Sequence, residues 1–485
     1  MKPLIFILFT ALPLIGAPSD SLVRINSTLQ SYKAFQPWEK NSPKKRQGLG
    51  TLLSGNRVLT TAAMAADAIY LELESADSSR RVPAELSAID YKANLALLVP
   101  VNGADFLRDL EPAEVSSPVK IGNDLEFYQL EDNGDSLSTS GTIRKMDLLS
   151  TFVSSGGYLS YQVKASMQTA GNSFTLPTFH NDKLAGVLTS YNSKDQICDV
   201  ISADIISAFL ADAADGKYLG FPSLGAGFST TEDEHFRAWL KLPREAGGIY
   251  INRVLPEGSG DSAGMKKGDV ILTIDGNAIN RQGYYQHKKY GTLYWPHLVG
   301  GSRVIGEEIS VGILRDGKPL NLKITLKKAP DPLLPLHRYG NAPPFLIKGG
   351  LVFQELSRPY LLAFGKEWAS RGPLNLLDVM ANPSDYEEGR NRVVVLTRVV
   401  PTEATIGYDR ISNQIIEKVN GMPVADLPSL AKALSSTTEN GIHEIETDQT
   451  PYKLYLDQGL SDQVDTQFKA RGLPSLSRLY EPKVK

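Results

Sequence analysis

Short apolar runs, each cut off by Gly, Asn, Asp or Ser, fill the first half of this 485-residue chain after Pro18 and restrict its fold more than any other feature. Gly48-Leu-Gly-Thr-Leu-Leu-Ser54 runs into the hairpin signal Gly55-Asn56 and leaves through Arg57-Val-Leu-Thr-Thr61. Ile69-Tyr-Leu-Glu-Leu-Glu74 alternates with period two, as a half-buried strand does. Asn94-Leu-Ala-Leu-Leu-Val-Pro100 is continuously apolar, as a fully buried strand should be. Strands this short at near-regular spacing predict a sandwich or barrel. Ser202 to Ala211 carries helical periodicity and closes the unit. Cys198 is the one cysteine, so no internal disulfide can staple the fold and its cores must suffice. Set between Ile197 and Val200, it is expected to be a small buried hydrophobe.

A second unit starts near Lys217. Gly247 to Leu255 is a strand, Pro256 to Gly264 turns into a short helix, and Lys267 to Gly276 is turn, strand and hairpin. Asp316-Gly317 joins two further strands. Tyr284, Tyr285, Tyr290, Tyr294 and Trp295 crowd one insert, where core packing is preferred over an interface. A linker at Ala329-Pro-Asp-Pro332 and Pro335 precedes a weak repeat, with strands at Val393–Val400 and Ile415–Gly421 and a helix over Leu427–Leu434. From Asp457 onward the chain is polar and expected to be irregular.

Composition narrows the function. Hydrophobic residues make up 42% and charged residues 22%, a globular balance. The net charge of −3 and the absence of a basic stripe give nucleic-acid binding no electrostatic support. Lys44-Lys45-Arg46, between Ser42-Pro43 and Gly48, is expected to be a solvated loop. The run from Met1 to Ala17 has one lysine, an apolar core and small residues before Pro18. It predicts a secretory signal peptide, export to a periplasm or beyond, and no membrane span after cleavage. None of the six histidines is paired at metal-ligand spacing, and nothing points to a metal or cofactor.

One loop bears on chemistry. Thr169-Ala-Gly-Asn-Ser-Phe-Thr-Leu-Pro177 joins the strands expected at Leu159–Ser166 and Lys183–Tyr191. A serine on a tight loop between strands is how a chymotrypsin-like barrel presents its nucleophile. The N–H groups of Gly171 and Ser173 would form its oxyanion hole. The same residues also make an ordinary surface turn.

Gly48 to Leu98, the Gly-Asn-Ser loop and Lys217 to Leu326 together resemble the Deg/HtrA family, trypsin-like serine endopeptidases with C-terminal PDZ domains. Gly349 to Tyr360, Ile406-Gly-Tyr-Asp409, Val419-Asn-Gly421 and Arg471-Gly-Leu-Pro-Ser475 are similar to plant-type members. The resemblance implies a mainly β chain: a chymotrypsin-like double β-barrel over 18–215, PDZ-like α+β domains over 216–329 and 330–458, and a tail from 459. It also implies that the family's histidine position holds Ala63 (a slip of one would give Met64) and that its aspartate position holds Asn94. Ser173 alone survives, followed by Phe174 and Thr175 in place of two glycines, with Lys164 in place of a common aspartate.

A serine hydroxyl needs a base within hydrogen-bond reach. Losing the triad histidine typically costs about 10⁶ in kcat. His180 is the one histidine in the predicted barrel, and extended chain would carry it roughly 20 Å from Ser173. The first expectation is therefore an exported, inactive homologue that binds peptides or unfolded protein C-termini and self-associates. By resemblance, its carboxylate-capturing loop is Tyr218-Leu219-Gly220-Phe221, with a domain-joining loop as the alternative. An active serine endopeptidase with an atypical base and a structural, oligomerising envelope protein are the competing expectations.

Overall fold

The computed structural model describes residues 17–150, 152–153, 157–167, 175–301, 303–473 and 475–480. Six strands, β1 (Leu22–Leu29), β2 (Lys44–Leu53), β3 (Arg57–Thr60), β4 (Ala68–Glu74), β5 (Arg81–Asp90) and β6 (Leu95–Pro100), close a barrel in the order β1-β2-β3-β6-β5-β4. A second six-stranded barrel is made by β7 (Asp124–Leu130), β8 (Ser136–Leu149), β9 (Tyr158–Lys164), β10 (Leu176–His180), β11 (Lys183–Asn192) and β12 (Ile197–Ser202), in the order β10-β11-β12-β9-β8-β7. Closure removes the open edges that short strands would otherwise expose.

The unbroken apolar run of β6 has a direct cause. Ala96 and Leu98 point into the first barrel with Val23, Ile25, Leu52 and Leu73. Leu95 and Leu97 point the other way and share one core with Leu125, Phe127 and Tyr161 of the second barrel. Alternate side chains of a strand face opposite ways, so β6 serves two cores at once. Cys198 lies fully buried in the second barrel, and burial pushes its thiol up to about 12, too high for a nucleophile. The helix Ala203–Asp212, capped by Ser202, buries Ile205, Ile206 and Phe209 against this barrel.

The basic cluster differs from its expectation. β2 begins at Lys44, with Lys44 and Lys45 exposed and the Arg46 guanidinium donating to the Ala63 carbonyl, so this is solvated strand and not loop.

The next unit is a sheet in the order Ala226–Ser229, Ile249–Val254, Val270–Ile274, Glu308–Arg315, Lys318–Thr325. Its last hairpin turns at Asp316 and Gly317, with φ of 51° and 78°, the left-handed pair that a two-residue hairpin loop needs. The aromatic insert is core, as preferred: Tyr285, Tyr290, Leu293 and Trp295 are buried. It also fastens this unit to the barrel, because the Tyr290 hydroxyl donates to Asp204 at 2.7 Å. Around that bond stand His287 and His297, whose rings lie 5.7 Å apart.

In the last unit the chain from Gln458 to Ala470 is a helix, capped by Asp457, whose carboxylate accepts the Leu460 N–H at 2.7 Å. This corrects the expectation of an irregular tail. The cause is tertiary: a mostly polar helix buries Ser461 and Val464, and its Phe468, with Leu473 just past its end, packs on Phe345 and Ile347. Ser477–Arg478 then adds beside the strand Phe345–Lys348. Arg478 reaches back to the Pro37 carbonyl of the first barrel at 3.1 Å, and Trp38 meets Phe345 at 5.7 Å.

His297 generates a pH test. Burial first, then the neighbouring His287, lowers its imidazole to about 4, with Asp204 opposing. The unfolded chain therefore takes up a proton between about pH 6.5 and 4 that the native chain refuses. Stability is expected to fall as pH drops through that window, by roughly 3 kcal/mol for this group. Urea unfolding at pH 7 and pH 4.5 measures it, and His297→Leu should flatten the difference.

Candidate functional site

Strand β3 ends at Thr60, and the next residues wind into the short helix Ala62–Ala65. Ala63, buried, turns its backbone N–H to Asn94 Oδ1 at 3.0 Å. Asn94 is itself buried and holds φ at 56°, a conformation asparagine tolerates better than most residues. The turn ahead of it is fixed by Asp90, whose Oδ1 accepts the N–H groups of Lys92 at 2.8 Å and Ala93 at 2.7 Å. The structure thus brings Ala63 and Asn94 together, the two positions where base and acid were expected. Met64 points into the first barrel's core, so the one-residue slip is excluded.

Neither side chain at the pair can take a proton from a hydroxyl: a methyl has no acceptor, and a carboxamide is not a base near neutral pH. The charged group that touches the pair is Arg46, on the Ala63 carbonyl. Burial lowers its guanidinium from the ordinary value, yet a guanidinium has donors only.

Ser173, Gly171 and Phe174 lie outside the described residues. The chain on either side of them is anchored. Met167 N–H donates to the Tyr191 hydroxyl at 3.2 Å, and the Thr175 carbonyl accepts from Leu49 N–H at 3.2 Å. Gly48 makes that junction possible: a Cβ there would stand 2.9 Å from Met64 Sδ and 3.1 Å from Thr175 Cγ2. The loop therefore rejoins the barrel one residue from Ala63.

His180 sits at the far end of β10 from Thr175, roughly 16 Å along an extended strand, and its Nδ1 lies 2.7 Å from the Asp124 carbonyl. His337, expected to lie away from the barrel, is instead brought to it. Its ring lies 4.8 Å from that of Tyr91, three residues before Asn94. No local signal in the sequence marks this, because the contact joins positions some 250 residues apart.

The quartet at Tyr218–Phe221 divides. The Tyr218 hydroxyl donates to Asp90 Oδ2 at 2.7 Å and its ring packs on Phe209 at 5.0 Å. The N–H groups of Leu219 and Gly220 both donate to Asp212 Oδ2, at 3.0 and 2.8 Å. A carboxylate already occupies those amides, so Tyr218–Gly220 serves as the domain-joining loop, which corrects the preferred expectation. Phe221 alone reaches a groove. That groove, roughly 560 Å³, runs along the edge strand Ala226–Ser229, with Leu224, Phe228, Trp295 and Val299 on its walls and Tyr158 and Lys92 closing it from the barrels. The residues bordering the strand are Pro222 to Gly225, with Gly225 at φ 70°. Leu224-Gly225 directly before a short strand was the sequence signal for this loop.

In the last unit the strand Leu351–Glu355 is paired on both sides, by Phe345–Lys348 and by Val394–Val399. The Gly349 N–H between the first two donates to Asp465 at 2.8 Å. The chain itself fills the place where an added strand would lie.

Comparison with known proteins agrees with this layout. Residues 222–326 and 334–466 each match a family model described as a PDZ domain. The Arabidopsis thaliana "Protease Do-like 4, mitochondrial" is 27% identical over 422 residues, covering 86% of this chain and 77% of that protein. "Protease Do-like 2, chloroplastic" from the same plant is 27% identical over 421 residues, covering 85% and 67%. A solved serine-to-alanine form of the HtrA-type protease AlgW with a decapeptide shares the fold at a TM-score of 0.50 and 19% identity, over 64% of this chain and 95% of that one.

The Asn94 contact is testable. Asn94→Ala strands the buried Ala63 N–H and is expected to cost about 1–3 kcal/mol in urea unfolding. Asn94→Asp keeps an acceptor and should lose much less.

Proposed function

Because the chain belongs to the Deg/HtrA family, with a trypsin-like double barrel and two PDZ domains close to those of plant Deg proteases, we propose that it is a homologue that recognises polypeptides without cutting them. The observation that carries this reading is the Ala63–Asn94 pair with Arg46 on the Ala63 carbonyl. By the family resemblance, the positions that would take a proton from Ser173 carry a methyl group and a carboxamide, with a guanidinium beside them, and none is a base. Ser173 then stays a neutral hydroxyl. A fluorophosphonate probe is expected to leave Ser173 unlabelled, and casein to survive equally with wild type and Ser173→Ala. Casein turnover that Ser173→Ala abolishes would overturn the reading.

Ligand recognition falls to the groove on the first PDZ domain. Its strand Ala226–Ser229 offers an edge, and the apolar walls suit one or two aliphatic or aromatic side chains of an added segment. Ala226→Arg, at a half-buried strand position lining the groove, is expected to lower the affinity for apolar peptides at least tenfold in calorimetry while thermal unfolding is little changed.

A second reading, an endopeptidase with an atypical base, draws on His337 beside Tyr91. It requires casein turnover that His337→Gln removes. We further propose that the leader Met1–Ala17 exports the chain and that it self-associates. N-terminal sequencing of the mature protein and its sedimentation test these.

A further inference from the structure

We propose that the barrel face beside Ala63 and Asn94 is a second polypeptide site, built to take an aromatic residue followed by glycine, and that residues 337–340 of the chain's own interdomain segment fill it. This goes beyond the groove on the first PDZ domain and does not depend on it.

The occupant is seen in full. The Tyr339 ring stacks on Phe152 at 4.9 Å with an interplanar angle of 19°, and meets Tyr91 at 5.2 Å. His337 covers the remaining face, 4.8 Å from Tyr91 and 5.4 Å from Tyr339. The Gly340 N–H donates to Asp67 Oδ1 at 3.0 Å. Glycine is required there: φ is 69°, and a Cβ would stand 3.3 Å from the Tyr91 hydroxyl.

The host residues come from separate places. Asp67 follows the helix that holds Ala63, Tyr91 belongs to the turn that places Asn94, and Phe152 lies between β8 and β9 of the other barrel. Arg46, bonded to the Ala63 carbonyl, also feels the Tyr339 hydroxyl electrostatically. The segment thus spans from one barrel to the other, meeting Tyr91 three residues before Asn94 and Phe152 on the other side.

Arg338 of the segment pairs with the buried Glu355 at 3.1 Å and ties it to the last domain, while two features set the rings at 337 and 339 apart from packed core. Tyr339 and His337 are only half-buried, and Gly340 is exposed. Among the described residues, His337 Nδ1 is buried without a hydrogen-bond partner, a cost that optimised packing avoids. A tethered occupant at millimolar effective concentration hides such a site from weak free ligands.

The test uses the full chain and a labelled copy of residues 336–341, Leu-His-Arg-Tyr-Gly-Asn, blocked at both ends so that no terminal carboxylate is offered. By anisotropy, wild type should not saturate below about 1 mM peptide. Tyr339→Ala, which removes the tethered ring, should bind at least tenfold more tightly. Adding Asp67→Ala should abolish that gain, and adding Ala226→Arg in the groove should not. Equal, weak binding by a Tyr339→Ala protein with unchanged melting would overturn the proposal, as would a gain lost with Ala226→Arg. If Tyr339→Ala does not fold, hydrogen exchange of wild type decides. Millimolar peptide should speed exchange across 336–341 severalfold, and no change would overturn the proposal.

Discussion

The carboxylate of Asp90 faces two ways, and the arrangement of barrel and PDZ domain hangs on it. Oδ1 holds the N–H groups of Lys92 and Ala93 and so shapes the turn that sets Asn94 under Ala63. Oδ2 takes the Tyr218 hydroxyl, which anchors the loop entering the first PDZ domain. Asp212 repeats the device from the other side, gathering the N–H groups of Leu219 and Gly220 at the end of the barrel's closing helix. Hydrogen bonds to ionised acceptors are shorter and stronger than neutral ones, so two carboxylates suffice to fix the entry loop. Domain position and site geometry consequently share a residue.

That shared residue also bears on the groove. With the entry loop spent on Asp90 and Asp212, the groove of the first PDZ domain is bounded by Leu224 and Phe228 and walled in part by the barrels through Lys92 and Tyr158. A ligand there touches both units, so its binding energy bears on how firmly they dock. The second PDZ domain has taken the opposite course. Its comparable strand is flanked by the chain's own Phe345–Lys348, and a terminal helix seals that strand, so it acts as a packed module.

The fold was legible in the sequence wherever a local rule decided it. β6 announced itself because both of its faces are buried; the hairpin at Asp316-Gly317 because its turn needs left-handed φ; Cys198 because a lone thiol between aliphatics has little else to do. Ala63 and Asn94 were each read at a fixed offset from a strand, and the structure joins them by a 3.0 Å hydrogen bond. What escaped was decided between distant segments. Arg46 looked solvated because its partner, the Ala63 carbonyl, is brought close only by barrel closure. The helix over Gln458–Ala470 looked irregular because its few apolar residues count only once Phe345 and Ile347 lie beneath them. Tyr218 to Gly220 matched a carboxylate-binding pattern whose donors, in this chain, Asp212 already holds.

The residue at position 63 also decides what can pack beside it. In a working protease the residues around the histidine must leave room for an imidazole and for a passing chain. Ala63 carries only a methyl, and its surroundings are packed. Arg46 settles on the Ala63 carbonyl, and the interdomain segment lays Tyr339 and His337 across Tyr91 and Phe152. A small side chain at position 63 thus goes with contacts that join both barrels to the segment leading into the last domain.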